Sequence, residues 1–240
     1  MHRGHSFHAA KTSSHPPREA ALQQLFAQPV RVHGSGRTDA GVHALGQVAA
    51  FDAPRHFDPI ELRRALNALL PPDIAVRDAA EVEAGFDPRR AAVVRVYEYR
   101  ILNRALRSAF HFRYAWHIAQ PLNVAAMRQA ARVFIGRHDF AAFRTLGTET
   151  RSTVRDIYVS QWQRRGELLV YRVEGSSFLR HMVRSMVAAM VEAGRNRLDP
   201  AELRALLGGA PRSAAPAAAP ACGLYLMEVR YPQASAGGRS

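Results

Sequence analysis

Apolar residues recur at helical spacing in four stretches of the chain and alternate with polar ones in several others. Arg18 to Phe26 carries Leu22, Leu25 and Phe26 on one face and reads as a helix, followed by a short strand over Val30 to His33. A glycine-rich connection then leads into a second strand over Ala44 to Phe51. Asp58-Pro59-Ile60-Glu61 is a helix start, with Asp58 as N-cap, Pro59 in the first turn and Glu61 three residues after the cap. Leu62, Ala65, Leu66 and Leu69 form its apolar stripe, Pro71-Pro72 ends it, and Ile74 to Val82 reads as a strand. Residues 1–16 are polar, His-rich and without periodicity, so they read as a poorly specified start.

The second half repeats that order with a strand in front. Val93 to Leu102 is a long strand, Asn123 caps a helix carrying Val124, Met127, Ala131 and Phe134, and Val154 to Trp162 pairs through Arg165-Gly166 with Leu168 to Val173. Phe178 to Ala193 is a strongly apolar helix closed by Gly194, and Leu224 to Val229 is a last strand. The Ala/Pro run from Ala210 to Ala221 reads as a loop. This order is β-α-β-β-α-β, the split βαβ or ferredoxin-like unit. The first half reads as the same unit without its opening strand. The expectation is an α+β protein of two ferredoxin-like halves, 1–90 and 91–240, forming antiparallel sheets around a central basic cleft.

Length and charge narrow the partner class. At 240 residues with 48% apolar content the chain can bury large cores. Its formal net charge of +13 comes almost entirely from arginine, whose planar five-donor fork suits phosphates and base edges. An extended polyanion is the leading partner, although a genome rich in Arg and Ala codons would raise the charge as well. One cysteine, Cys222, excludes a disulfide framework and a Cys-based zinc site. With no signal-peptide pattern and no apolar run of ~20 residues, a cytoplasmic location without membrane contact is expected.

The stretch Arg31 to Phe51, RVHGSGRTDAGVHALGQVAAF, sets one carboxylate among four glycines and two histidines. A phosphate cradle would need GxGxxG before a helix or a GK[ST] ending, and neither is present. A plain hairpin connection would use glycine for positive φ and Asp39 to cap its own turn. In the third reading the glycines let a nucleic acid approach, Arg37 contacts it, and Asp39 acts on it. His43 and His181 could ligate a metal only if the fold joined them, and their spacing does not suggest it.

GSGRTDAGVHALGQVAAF resembles the signature of the tRNA pseudouridine synthase A family. NALLPPDIAV (Asn67 to Val76), VYEYRILN (Val96 to Asn103), IGRHDFAAFR (Ile135 to Arg144), FLRHMVRSMV (Phe178 to Val187) and GLYLMEVRYP (Gly223 to Pro232) resemble further family blocks in the same order. The resemblance implies two ferredoxin-like halves and isomerisation of uridine to pseudouridine at positions 38 to 40 of the tRNA anticodon stem-loop. It implies tRNA as substrate, a homodimer, and no cofactor or metal. It carries the catalytic aspartate onto Asp39 and the residue that fills the space of a flipped base onto Arg37. Tyr97 corresponds to the active-site tyrosine, Arg184 to the arginine that pairs with the aspartate, and Leu224 to an apolar pocket residue. On pattern alone Tyr97 and Leu224 read equally as core, and Arg184 as a rim residue of an apolar helix. Phe86 and Arg89 fall where the family carries an aromatic, a histidine and an arginine for RNA contact, but Asp87 replaces the histidine.

Gly4 to Lys11 stands where the family carries a YDGxxFxGWQ-type segment, with Ala9 and Ala10 in place of its glycine and tryptophan. A start codon placed too late or a divergent copy would each account for this. A divergent copy leaves open an alternative function, a catalytically impaired tRNA-binding protein.

Overall fold

A computed structural model describes residues 4–10, 16–145, 150 and 152–232, which form two sheets with helices packed on them. The rest of the polar start, 1–3 and 11–15, lies outside the described residues. The first half runs β1 (Gly4–Ala10), α1 (Pro16–Phe26), β2 (His33–Gly34), β3 (His43–Ala44), β4 (Gln47–Asp52), α2 (Pro59–Leu69) and β5 (Ala75–Val82). Four of these strands make an antiparallel sheet in the order β2-β4-β1-β5. Asp58 caps α2 as its sequence demands, its Oδ1 accepting from the N–H groups of Ile60 and Glu61 at 2.9 and 3.1 Å. Asn67 ties α2 to β5 by bonding both the N–H and the C=O of Val76. Leu22, Phe51, Leu62, Leu66 and Val76 are buried between helices and sheet.

The opening strand expected to be missing is present, and it sits in the middle of its sheet. Its main chain pairs with β4 from Gly4↔Asp52 to Ala9↔Gln47 and with β5 from Gly4↔Val82 to Ala10↔Ala75. Pairing with two neighbours supplies what the local sequence pattern lacks, since strand formation depends on context more than on propensity. Without it, β4 and β5 would each expose an open edge.

The second half runs β6 (Val94–Asn103), β7 (Trp116–Ile118), α3 (Val124–Val133), β8 (Gly136–Asp139), β9 (Val154–Arg165), β10 (Leu168–Gly175), α4 (Met182–Gly194), α5 (Pro200–Ala205) and β11 (Leu224–Arg230). Its sheet has the order β3-β11-β6-β10-β9-β8, with β7 also paired to β6. The expectation of antiparallel sheets holds for the first sheet only, because β3 runs parallel to β11 and β7 parallel to β6. The helices α3 and α4 close the larger core with Met127, Phe134, Met186 and Met190 against Tyr99 and Tyr171. Three short elements, β7, β8 and α5, had no counterpart in the sequence reading.

The strand expected over Ala44 to Phe51 is split between the two sheets, and that split joins them. Ala44 belongs to β3, while β4 begins at Gln47. In the gap, the N–H groups of Leu45 and Gly46 both reach the Leu226 carbonyl, at 2.8 and 3.2 Å. Ala44, Val48, Ala92, Leu226 and Val229 make a small apolar cluster across the junction, with Tyr97 and Tyr231 packed against it. A Cβ on Gly46 would strike the Met227 carbonyl oxygen and come within 2.9 Å of the Glu228 Cα, both main-chain atoms. Gly46→Ala is therefore expected to destabilise the fold by about 1–3 kcal/mol, the scale of overpacking a close contact. Urea unfolding measures this, and an unchanged midpoint would show that the junction can widen freely.

Candidate active site

The glycine-rich loop is fixed at both ends before it presents anything. At its entry the buried Ser35 donates from Oγ to Gln47 Oε1 at 2.6 Å, and Gln47 Nε2 donates to the Gly36 carbonyl at 2.9 Å. At its exit β3 pairs with β11 through Tyr225↔His43 and Leu226↔Ala44. Between them the Val42 N–H closes a turn onto the Asp39 main-chain carbonyl at 3.0 Å, and Gly41 takes the positive φ of 81° that this turn requires. The main chain closes the turn, so the Asp39 side chain can reach elsewhere.

It reaches the entrance of α4. Arg184 Nη1 donates to Asp39 Oδ2 at 3.1 Å, and His181 Nε2 stands 2.9 Å from the same oxygen. The Arg180 guanidinium lies 3.7 Å from Oδ1, an ion-pair distance beyond hydrogen-bond length. Arg184 is itself oriented, because its Nε donates to the Ala219 carbonyl at 2.7 Å. Its side chain is 15% exposed against 28% for that of Asp39, so the pair is shielded yet open on the carboxylate side.

This arrangement explains why α4 starts at Met182 and not at Phe178. His181 adopts φ 63° and ψ 2°, the left-handed region, which ends any right-handed helix running through it. The apolar pattern of Phe178, Leu179 and Met182 continues the helical period, but the main chain turns there. The turn puts Arg180, His181 and Arg184 around one carboxylate. Strain of this kind, of order 1–3 kcal/mol, persists only where the surroundings enforce it.

Tyr97 lies on β6 where the two sheets meet, half-buried and edge-on to Phe178 with centroids 5.1 Å apart. Burial, and to a lesser extent the charge of Asp39, pushes its hydroxyl up to about 12, with Arg95 acting in the opposite sense. Tyr97 is therefore a neutral phenol at physiological pH. Arg37 is exposed two residues before Asp39. Leu224 is buried at the start of β11, opposite Tyr99. Arg89 is exposed on the turn before β6, where its carbonyl accepts from Arg95 Nη2 at 2.5 Å. His43 stacks on Tyr225 at 4.6 Å, away from His181 in both element and bonding.

The sequence reading thus anticipated the meeting of Asp39 with Arg184 but missed Arg180, His181, Ala219 and Thr145. Thr145 Oγ1 lies 2.7 Å from His181 Nδ1. In FLRHMVR the three- and four-residue spacings would align Arg180, His181 and Arg184 on a continuous helix, but the left-handed turn at His181, and not helical spacing, is what gathers them here.

A family model described as tRNA pseudouridine synthase matches residues 4–89 and 130–232 of this chain. The tRNA pseudouridine synthase A of Geobacter sulfurreducens is 46% identical over 213 residues, covering 89% of this chain and 87% of its own. That of Myxococcus xanthus is 44% identical over 214 residues, covering 89% and 81%. The chain belongs to the tRNA pseudouridine synthase A family, whose members are isomerases that modify tRNA.

Arg184 uses two separate nitrogens for two separate acceptors, which an ammonium on a flexible stem cannot reproduce. Arg184→Lys is expected to lower single-turnover pseudouridine formation by about 10²-fold while changing tRNA affinity less than ~3-fold. Equal losses in rate and affinity would instead make Arg184 a phosphate contact.

Proposed function

We propose that this chain converts uridine to pseudouridine at positions 38 to 40 of the tRNA anticodon stem-loop, with Asp39 as the reacting carboxylate and neither metal nor cofactor. The observation that carries this reading is the Asp39 carboxylate, which leaves its own turn and is held by Arg184. In the reaction the bond from ribose C1′ to uracil N1 breaks, the base turns, and C1′ joins uracil C5. The C5 proton leaves and N1 regains one, so electrons and atoms balance without an oxidant. A carboxylate can attack C1′, stabilise positive charge there, or take a sugar proton.

Arg37, exposed beside Asp39, is placed to fill the space left by a flipped base, which offsets part of an unstacking cost of a few kcal/mol. The ring of Tyr97 would stack on the turned uracil, and its protonated hydroxyl would serve proton transfer at C5. Leu224 would support that pocket from the core, and Arg89 would contact RNA further out. The reading divides the chain into halves 1–90 and 91–240 around a basic cleft, with a second subunit completing it, and places the enzyme in the cytoplasm. The opening strand is paired on both flanks, so the first half keeps that element, while Ala9 and Ala10 still replace the family's glycine and tryptophan.

Chemical pseudouridine mapping of tRNA from a deletion strain, with and without the gene, tests this. Restoration of the modification at 38 to 40 is expected, and an identical map in both strains would overturn the reading. Affinity for tRNA is expected to fall steeply with salt, with a log-log slope of several units from arginine–phosphate contacts. A flat response in filter binding between low and moderate salt would contradict binding through the arginines.

A further inference from the structure

Asp39 Oδ2 receives two donors, and only one of them, Arg184, is a permanent cation. The other is His181, held in a left-handed conformation at the entrance of α4. A carboxylate can only accept, so a hydrogen bond at 2.9 Å requires the proton on His181 Nε2. In a neutral ring Nδ1 is then bare and must accept, and Thr145 Oγ1 stands 2.7 Å from it with a hydroxyl to donate. Thr145, His181 and Asp39 form a relay of hydroxyl, imidazole and carboxylate that crosses the fold from one loop to another.

We propose that His181 is a positioning residue for uridine isomerisation, donating from Nε2 to Asp39 Oδ2 as a neutral imidazole so that Oδ1 is the oxygen presented to the substrate. This rests on the reading of Asp39 as the reacting carboxylate. The groups facing the ring are Asp39 from the glycine loop, Thr145 from the segment after β8, and Arg180 and Arg184 from the entrance of α4. Burial lowers the pKa of His181, Arg184 and Arg180 lower it further, and Asp39 opposes them. The ring is thus neutral at physiological pH and gains its proton only below the usual histidine range.

Protonation would not break the relay. The Nδ1–H would donate to Thr145 Oγ1, whose own hydroxyl proton can turn to the Arg180 carbonyl 3.5 Å away. It would place a second full positive charge on Oδ2, drawing electron density from the carboxylate and making Oδ1 a weaker nucleophile and base. Activity is full above the pKa of His181 and declines as pH falls through it.

The test compares wild type, His181→Ala, His181→Gln and Asp39→Asn in single-turnover pseudouridine formation from pH 5 to 8.5, beside filter binding to tRNA. His181→Ala is expected to lose about 10- to 100-fold in rate with affinity within ~3-fold of wild type. His181→Gln, whose Nε2 donates without titrating, should recover most of that loss and should lack the acid decline of the wild type. A His181→Ala rate within twofold of wild type, or the same acid decline in wild type and His181→Gln, would overturn the proposal. If that happens while Asp39→Asn is inactive, the assignment of Asp39 stands and only the role of His181 falls. Full activity of Asp39→Asn would remove both. Nitrogen-15 NMR of the wild-type imidazole checks the tautomer whether or not a variant folds: Nε2–H at pH 7 is expected, and Nδ1–H would refute the relay.

Discussion

The contact between Asp39 and Arg184 joins residues 145 positions apart, and much of the structure serves to make it possible. A guanidinium whose side chain is 15% exposed is best satisfied beside a counter-charge, and the solvent-open carboxylate supplies one while the Ala219 carbonyl takes its Nε. Asp39 reaches its partner because β3 leaves the first sheet and joins β11 in the second, carrying the glycine loop with it. Arg184 reaches back because the Ala219 carbonyl holds its Nε and because α4 begins after a left-handed residue. The Ala/Pro run, which reads in sequence as a mere connection, is thus part of what aims Arg184 at Asp39.

The same geometry arranges charge by degree of commitment. Arg184 and His181 both act on Oδ2, while Arg180, with a side chain 59% exposed, stays at ion-pair distance from Oδ1. Arg37 projects into solvent beside them. One shielded cation, Arg184, and a neutral imidazole therefore hold Oδ2, while Arg180 and Arg37 stay exposed. Tyr97, at the seam between the sheets, is a neutral phenol whose pKa burial raises further, so it adds no charge beside Asp39.

Helices with caps were legible in the sequence, and elements defined by partners were not. Asp58-Pro59-Ile60-Glu61 and Asn123 announced α2 and α3 by local chemistry, and both side chains cap as expected. Asp199-Pro200-Ala201-Glu202 repeats the first of these patterns and builds a full capping box on α5, but with only six residues that helix shows too little periodicity to be read. The strand β1 has no apolar alternation to read, since its main-chain pairing on both flanks defines it. In the site, Asp39 and Arg184 were recognisable through family resemblance. His181 and Thr145 were not, because their roles depend on a positive φ and on a contact between distant loops that no spacing encodes.

Asp39→Asn removes charge and a reactive oxygen while barely changing volume. Single-turnover product formation beside a tRNA titration separates an aspartate that merely braces α4 from one that reacts. The account predicts a rate lower by at least ~3 orders of magnitude, about 4 kcal/mol of lost transition-state stabilisation, with tRNA binding unchanged or tighter. Activity within tenfold of wild type would contradict it.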